Sequence, residues 1–182
     1  LKGSVASLQR QLAWIALPPA ALLFVIAPET FRVAFGADWE QAGNMVRWLT
    51  PMLFLQFIVS PLSRIFVALE RQRLSLILQA KLFLLRFGSL VVAGYLAIDL
   101  LDAVFWYGIA SGIGFFSYVV AIAIMTGNSL NAFVKDWISC LPWLILVLAP
   151  LLGICFVEGT GVRLMEVISL VVSIILLLFY YK

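Results

Sequence analysis

Long apolar stretches alternate with short polar connectors along the whole chain. A helix that crosses a lipid bilayer needs about 20 mainly apolar residues. Six stretches meet that requirement, and turn formers such as Gly36, Gly127 and Gly159 mark several of the connectors. The pattern therefore predicts an all-α membrane protein, a single bundle of six transmembrane helices over residues 8–27, 46–69, 74–98, 103–125, 137–157 and 165–181.

Composition points to the same environment. Hydrophobic residues make up 64% of the 182 residues and charged residues 12%, with a mean hydropathy of +1.12. Soluble domains carry about a quarter charged residues, and a chain this short could not bury so much apolar surface without lipid. The chain has no histidine, and Cys140 and Cys155 lie in apolar runs, which indicates neither a disulfide framework nor a zinc site.

The ends of the chain and its charges predict a topology. The sequence begins Leu1-Lys2 with no Met and no signal-peptide pattern, so we interpret it as a piece that begins inside a longer protein. With the first residue in the cytoplasm, eight lysines and arginines lie on the cytoplasmic side and three on the outer side. The positive-inside rule favours this arrangement, which leaves both ends of the sequence cytoplasmic.

Prolines occur inside several predicted spans, among them Pro51, Pro61 and Pro142. In a helix bundle the carbonyls that a proline leaves unpaired can be satisfied by neighbouring helices. Two interpretations stay open: ordinary helix kinks, or hinges for a protein whose helices rock against one another.

The third predicted span contains a polar stripe. Arg86 lies near its middle, and a cation there costs about 3 kcal/mol on insertion scales. Because a helix advances about 100° per residue, Gln79 and Ser75 lie about 20° from Arg86 and Ser89 about 60°. We predict that this stripe lines a polar cavity; the alternative for Arg86 is a structural bond to a neighbouring carbonyl.

Other polar residues extend the candidate cavity. On the second span, Gln56 shares a face with Ser60 and Ser63, and Arg64 follows near the cytoplasmic end. Gln56 fits a binding role and an interhelical hydrogen bond equally well. Lys81 points about 140° from Arg86, and we interpret it as a side chain that reaches toward the headgroups.

The fourth span carries the pair Gly108 and Gly112, a spacing that lets helix backbones approach closely. It predicts packing within one chain, with a dimer interface as the alternative. No span has an acidic residue near its centre. We find no metal-ligand cluster, phosphate-binding loop or nucleophile with a base, so the sequence predicts no enzyme, no cofactor and no nucleic-acid partner.

One block of the sequence resembles a known family. Residues 35–79 read FGADWEQAGNMVRWLTPMLFLQFIVSPLSRIFVALERQRLSLILQ. The pieces that carry the resemblance are Phe35-Gly36 with Trp39, Ala42-Gly43, Leu49-x-Pro51, Pro61-Leu62-Ser63 and a basic connector with Gln72. The block is similar to the polysaccharide flippases for O-antigen and exopolysaccharide units, within the multidrug/oligosaccharidyl-lipid/polysaccharide superfamily. It covers about a quarter of the chain.

The resemblance implies two lobes of six helices around a central cavity, with two extra C-terminal helices. The sequence would then hold part of the second lobe and those extra helices. It also implies a cargo, an undecaprenyl-diphosphate-linked oligosaccharide, moved across the bacterial inner membrane by alternating access. Arg86, Gln79 and Arg64 would suit the diphosphate, and the glycan polymerase machinery would be a further partner.

Two other functions stay open. A drug or metabolite exporter of the same superfamily would carry a cavity acid in the lobe that this sequence does not contain. A membrane enzyme of glycan assembly would need a large polar loop or a His/Asp pair, and the sequence contains neither.

Overall fold

The structure is a computed structural model that describes residues 2–128 continuously, together with residues 131, 134, 135 and 138. The chain is all-helical over the described residues, as the sequence predicts. Four helical segments are long and apolar enough to cross a membrane, and each overlaps one of the first four predicted spans. The fifth span, 137–157, apart from residue 138, and the sixth, 165–181, lie outside the described residues. The count of six therefore stays a prediction.

Five α-helices and one 3₁₀ turn follow one another along the described chain. They are α1 (Lys2–Phe35), the 3₁₀ turn Ala37–Trp39, α2 (Glu40–Leu62), α3 (Arg64–Ala68), α4 (Gln72–Tyr95) and α5 (Leu100–Thr126). Helix α1 has 34 residues, far more than the 20 of the predicted span. Its length of about 51 Å exceeds a hydrocarbon core of about 30 Å, so it extends beyond the apolar stretch that predicted it.

The second predicted span is interrupted at Ser63, where α2 ends and α3 begins. Pro61 has no amide proton, and the Ser63 hydroxyl donates to the Ser60 carbonyl at 2.7 Å. The Phe66 amide then bonds to the Ser63 carbonyl, three residues back instead of four. Proline and a serine that bonds to its own backbone both weaken the regular helix ladder, which explains the break.

Three helices end in the same kind of turn. After α3, α4 and α5 the chain passes through a left-handed residue, respectively Glu70 (φ 55°), Ala97 (φ 49°) and Gly127 (φ 67°). In each turn an amide bonds to a carbonyl five residues back: Arg71 to Phe66, Ile98 to Ala93 and Asn128 to Ala123. This double-bonded ending satisfies carbonyls at the end of the helix and usually uses glycine at the left-handed position. Only the third of these turns has one.

The four long helices pack in the order α1, α2, α5, α4. Helix α5, the last of them in sequence, lies between α2 and α4. Half of its most apolar 18-residue stretch is buried, compared with 17% of the corresponding stretch of α4. Glycines on α5 allow the neighbouring helices to approach it closely. A Cβ atom added at Gly108 would lie 2.9 Å from the Trp48 carbonyl oxygen, and one at Gly114 would lie 2.4 Å from a methyl carbon of Leu82. At Gly112 the nearest atom, in Leu55, is 4.0 Å away.

Charges separate toward the two ends of the helices. The basic end, where α1 and α4 begin, carries four arginines against one glutamate: Arg10, Arg64, Arg71 and Arg73, with Glu70. The acidic end, where α2 and α5 begin, carries five carboxylates against two arginines: Glu29, Asp38, Glu40, Asp99 and Asp102, with Arg32 and Arg47. The net charge is therefore +3 at the basic end and −3 at the acidic end over these residues.

Arg47 supplies a hydrogen bond that α1 lacks because it contains a proline. Pro28 lies inside α1 and cannot donate to the carbonyl of Phe24, one helical turn earlier. The guanidinium of Arg47 on α2 donates to that carbonyl at 2.8 Å and to the Val25 carbonyl at 3.0 Å. One turn before Arg47, Gly43 packs so closely on α1 that an added Cβ would lie 2.4 Å from the Pro28 Cα atom. The pair Gly43 and Arg47 therefore joins α2 to the proline of α1.

The close contact at Gly43 predicts a large effect of one methyl group. We expect Gly43→Ala to lower the free energy of unfolding by about 1–3 kcal/mol, because the backbones of α1 and α2 must separate. The matched control is Gly88→Ala in the interior of α4, where nothing lies within 4 Å of the added Cβ. We expect this control to be neutral or stabilising, by up to about 1 kcal/mol. Thermal unfolding of the purified protein in detergent measures both, and equal effects would contradict the packing argument.

The bond from Arg47 to Phe24 predicts an energetic coupling. We expect Arg47→Ala to destabilise the protein by about 1–3 kcal/mol, because a carbonyl loses its donor inside the membrane. In a Pro28→Ala background, the new amide of residue 28 pairs with the Phe24 carbonyl, and Arg47→Ala should then cost clearly less. A double-mutant cycle on unfolding free energies measures this coupling. Strict additivity of the two substitutions would contradict it.

Candidate functional site

The Arg86 side chain on α4 points toward α5 and α2, into the helix packing. Its Nε atom donates to the Ser111 Oγ atom of α5 at 3.0 Å, and its Nη2 atom lies 3.9 Å from the Met52 sulfur of α2. Ser111 and Met52 are buried, and Arg86 itself is half-buried. Arg86 therefore links the three helices α4, α5 and α2 at one level.

Two aromatic rings flank the guanidinium. Its Cζ atom lies 5.7 Å from the centre of the Tyr107 ring and 5.1 Å from the centre of the Phe115 ring. Tyr107 and Phe115 lie one turn before and one turn after Ser111 on α5, so the three form a single stripe. A cation over an aromatic face gains about 0.5–2 kcal/mol, and this attraction holds the guanidinium against α5.

Arg86 carries a charge without an acidic counterpart among the described residues. No carboxylate within residues 2–128 forms an ion pair with it. The guanidinium has five N–H donors. Within this part of the chain its Nε atom makes one well-formed hydrogen bond, and the contact with the Met52 sulfur is weak. Arg86 thus presents a full positive charge with spare donors inside the bundle, about 21 Å along α4 from its first residue.

The other members of the predicted stripe differ in their surroundings. Ser89 donates to the carbonyl of Arg86 at 2.8 Å, within its own helix. Ser75 is half-buried and Gln79 is exposed, and neither side chain makes a hydrogen bond within residues 2–128. Both lie on the Arg86 side of α4, toward the basic end. They continue the polar surface from Arg86 in that direction.

The candidates from the second predicted span separate into two places. Gln56 is exposed on α2, one turn beyond the Met52 that contacts Arg86. Arg64 is exposed on α3, about 18 Å further along the helix axis than Met52. The structure therefore brings Gln56 near the level of Arg86 but leaves Arg64 at the basic end. The predicted combination of Arg64 with Arg86 is not present among the described residues.

Lys81 also contacts α5. The sequence predicts that Lys81 reaches toward the headgroups, whereas in the structure its Nζ atom donates to the Ser117 Oγ atom at 2.8 Å. The Ser117 hydroxyl donates in turn to the Ile113 carbonyl at 2.9 Å. The pair of helices α4 and α5 thus carries one cation–serine contact on each edge, Arg86 with Ser111 and Lys81 with Ser117.

The sequence reasoning missed the partners of Arg86 on α5. A signal for them exists, because α4 and α5 are antiparallel and joined by a short connector. Residues at similar distances from that connector face each other, which brings Arg86 opposite Ser111. Tyr107 and Phe115, spaced four residues on either side, follow from the helical period. Met52 had no such signal, because its position depends on how α2 packs on α5.

The two serine contacts predict unequal costs. Ser111 is fully buried and is an acceptor for a half-buried guanidinium, so we expect Ser111→Ala to destabilise by about 0.5–2 kcal/mol. Lys81 is exposed and Ser117 only half-buried, so Ser117→Ala should cost less. Unfolding free energies of the two variants in detergent make the comparison. A larger loss for Ser117→Ala would contradict this assignment of the buried contact.

Within the described residues no group of three or more His, Cys, Asp or Glu side chains could hold a metal ion. Comparison with protein-family models, with curated proteins and with solved structures finds no match to this chain. The resemblance of residues 35–79 to the polysaccharide flippases therefore stays an expectation from the sequence.

Proposed function

We propose that this chain is part of a flippase that moves an undecaprenyl-diphosphate-linked oligosaccharide across the bacterial inner membrane. The single observation that carries the proposal is the Arg86 guanidinium, a cation without an acidic partner among the described residues that faces neighbouring helices at mid-depth. A charge in hydrocarbon is tolerated only where protein or water shelters it, and it marks a functional site by default. The resemblance of residues 35–79 supplies the class of cargo.

The chemistry of Arg86 suits a diphosphate. A guanidinium presents a rigid fork of donors that matches phosphate oxygens, and charge-assisted hydrogen bonds are about twice as strong as neutral ones. Ser111, Tyr107 and Phe115 orient this fork and leave its remaining donors for the ligand. Neutral polar groups lie between Arg86 and the basic end, on Gln79, Ser75 and Gln56. In this region they would contact the sugar hydroxyls of the cargo.

The charge distribution supports an orientation with the basic end in the cytoplasm, by the positive-inside rule. Cargo made in the cytoplasm would then enter from the basic end and pass Gln79 before it reaches Arg86. Alternating access would open the path first to this end and then to the acidic end. An exporter of cationic drugs is the less favoured function, because the Arg86 guanidinium within the described spans would repel a cationic drug.

Substitution of Arg86 tests the proposal. In cells that depend on the full-length protein for glycan export, we expect Arg86→Ala to reduce export about 10- to 100-fold at unchanged expression, because the charge-assisted bonds to phosphate are lost. Arg86→Lys keeps the charge but loses the fork, and it should fall between wild type and Arg86→Ala.

The matched control is Lys81→Gln, which removes a cation from the same helix on the other edge of its contact with α5. We expect export by this variant to stay close to wild type. Unchanged glycan export by a well-expressed Arg86→Ala protein would disprove the site. A change in sensitivity to cationic drugs with unchanged glycan export would favour the exporter instead.

A further inference from the structure

Three exposed arginines lie within ten residues of one another, on α3, on the turn that follows it and on the start of α4. Arg64 begins α3, Arg71 precedes α4, and Arg73 is the second residue of α4. The turn is tight, because the Arg71 amide bonds to the Phe66 carbonyl at 2.7 Å and Glu70 is left-handed. None of the three guanidinium groups has a hydrogen-bond or ion-pair partner within residues 2–128. The turn therefore concentrates net positive charge at the basic end.

Exposed apolar side chains adjoin these charges. Leu76 and Ile77 follow Arg73 by three and four residues, so they lie on the same face of α4, and they are 68% and 63% exposed. On α3, Val67 follows Arg64 by three residues and is 63% exposed. On α4 the charge comes at the start of the helix and the apolar face begins one turn deeper. A phospholipid has the same order, with its phosphate at the interface and its chains below.

The distribution of acidic residues favours an anionic ligand at the basic end. Glu70 is the one acidic residue near the turn in this part of the chain, whereas the acidic end carries five carboxylates. An anionic headgroup is attracted to the basic end and repelled from the acidic end. A zwitterionic headgroup carries its own counter-charge and gains much less from three arginines.

We propose that the α3–α4 turn binds a phospholipid with an anionic headgroup, taken from the leaflet at the basic end. Arg64, Arg71 and Arg73 bind the phosphate, and the acyl chains lie on Leu76 and Ile77. This site is separate from the proposed cargo site, since Arg73 and Arg86 are about 20 Å apart along α4. The proposal does not depend on what the protein transports.

Lipid retention by the purified full-length protein tests the proposal. Native mass spectrometry counts lipids retained from micelles that contain phosphatidylglycerol or phosphatidylcholine. We expect wild type to prefer phosphatidylglycerol, and each arginine replaced by glutamine to weaken that preference about fivefold. The triple variant Arg64→Gln, Arg71→Gln, Arg73→Gln should lose the preference, and Glu70→Gln should strengthen it. A wild-type unfolding temperature in lipid-free detergent establishes that the triple variant folds.

Two controls make the result specific. Arg32→Gln removes an exposed arginine at the acidic end, and its lipid preference should equal that of wild type. Arg86→Ala should also keep the preference, so that failure of the proposed transport function and failure of this lipid site remain distinguishable. A triple variant that still prefers phosphatidylglycerol, or an equal loss in Arg32→Gln, overturns the proposal.

A competitor identifies the source of the phosphate. Glycerophosphoglycerol, the deacylated headgroup, carries the same phosphodiester without acyl chains, so we expect it not to displace phosphatidylglycerol at matched concentration. Displacement at that concentration would mean that the arginines bind a soluble phosphate and that the apolar face contributes nothing. That result also overturns the proposal.

Discussion

The constraint on which this structure depends is that a polar group inside hydrocarbon must find its partner in protein, because no water is there to supply one. Several hydroxyl groups meet it within their own helix: Thr50 donates to the Val46 carbonyl, Ser89 to the Arg86 carbonyl and Thr126 to the Ile122 carbonyl. Charged groups meet it by hydrogen bonds to another helix. Arg86 donates to Ser111, Lys81 to Ser117, and Arg47 to the Phe24 and Val25 carbonyls near Pro28. The Gln9 amide and the Thr30 hydroxyl are exceptions, since their polar atoms are buried and have no hydrogen-bond partner in the described residues.

The same interactions decide how the helices are arranged. The long helices make three contacts between neighbours: α1 with α2, α2 with α5, and α5 with α4. Arg47 lies at the first of these contacts, and Arg86 and Lys81 lie at the last. Arg86 also reaches Met52 and so touches the remaining contact, α2 with α5. Helix α5 can occupy the centre because Gly108 and Gly114 admit the backbone of α2 and a leucine of α4. Packing and candidate function therefore use one face of α5.

The cations in this part of the chain divide into two groups with different chemistry. Arg86 is half-buried within the helix packing, held by a serine and two rings, and suited to a ligand that enters the bundle. Arg64, Arg71 and Arg73 are exposed at the end of the helices beside apolar side chains, and suited to a ligand that stays in the leaflet. The proposed cargo and the proposed lipid each contain phosphate, but their binding sites differ in depth by about 20 Å.

The sequence alone determined the features that depend on one helix at a time. Hydropathy located the four described spans, because the cost of exposing backbone and polar groups to lipid acts on each segment separately. The helical period placed Arg86, Gln79 and Ser75 on one side of α4. Hydropathy could not set the ends of α1 or the break at Ser63, since backbone hydrogen bonds, not apolar content, decide where a helix stops.

Only the tertiary structure decided which side chain meets which across helices. The direction of Arg86 around α4 does not say that Ser111, Phe115 and Met52 lie there; that follows from the register of three helices. The separation of Arg64 from Arg86 has the same cause, because two residues on facing surfaces meet only if they lie at the same depth. The bond from Arg47 to Phe24 likewise needed the position of α1 against α2, since a carbonyl freed by proline accepts whichever donor the packing brings to it.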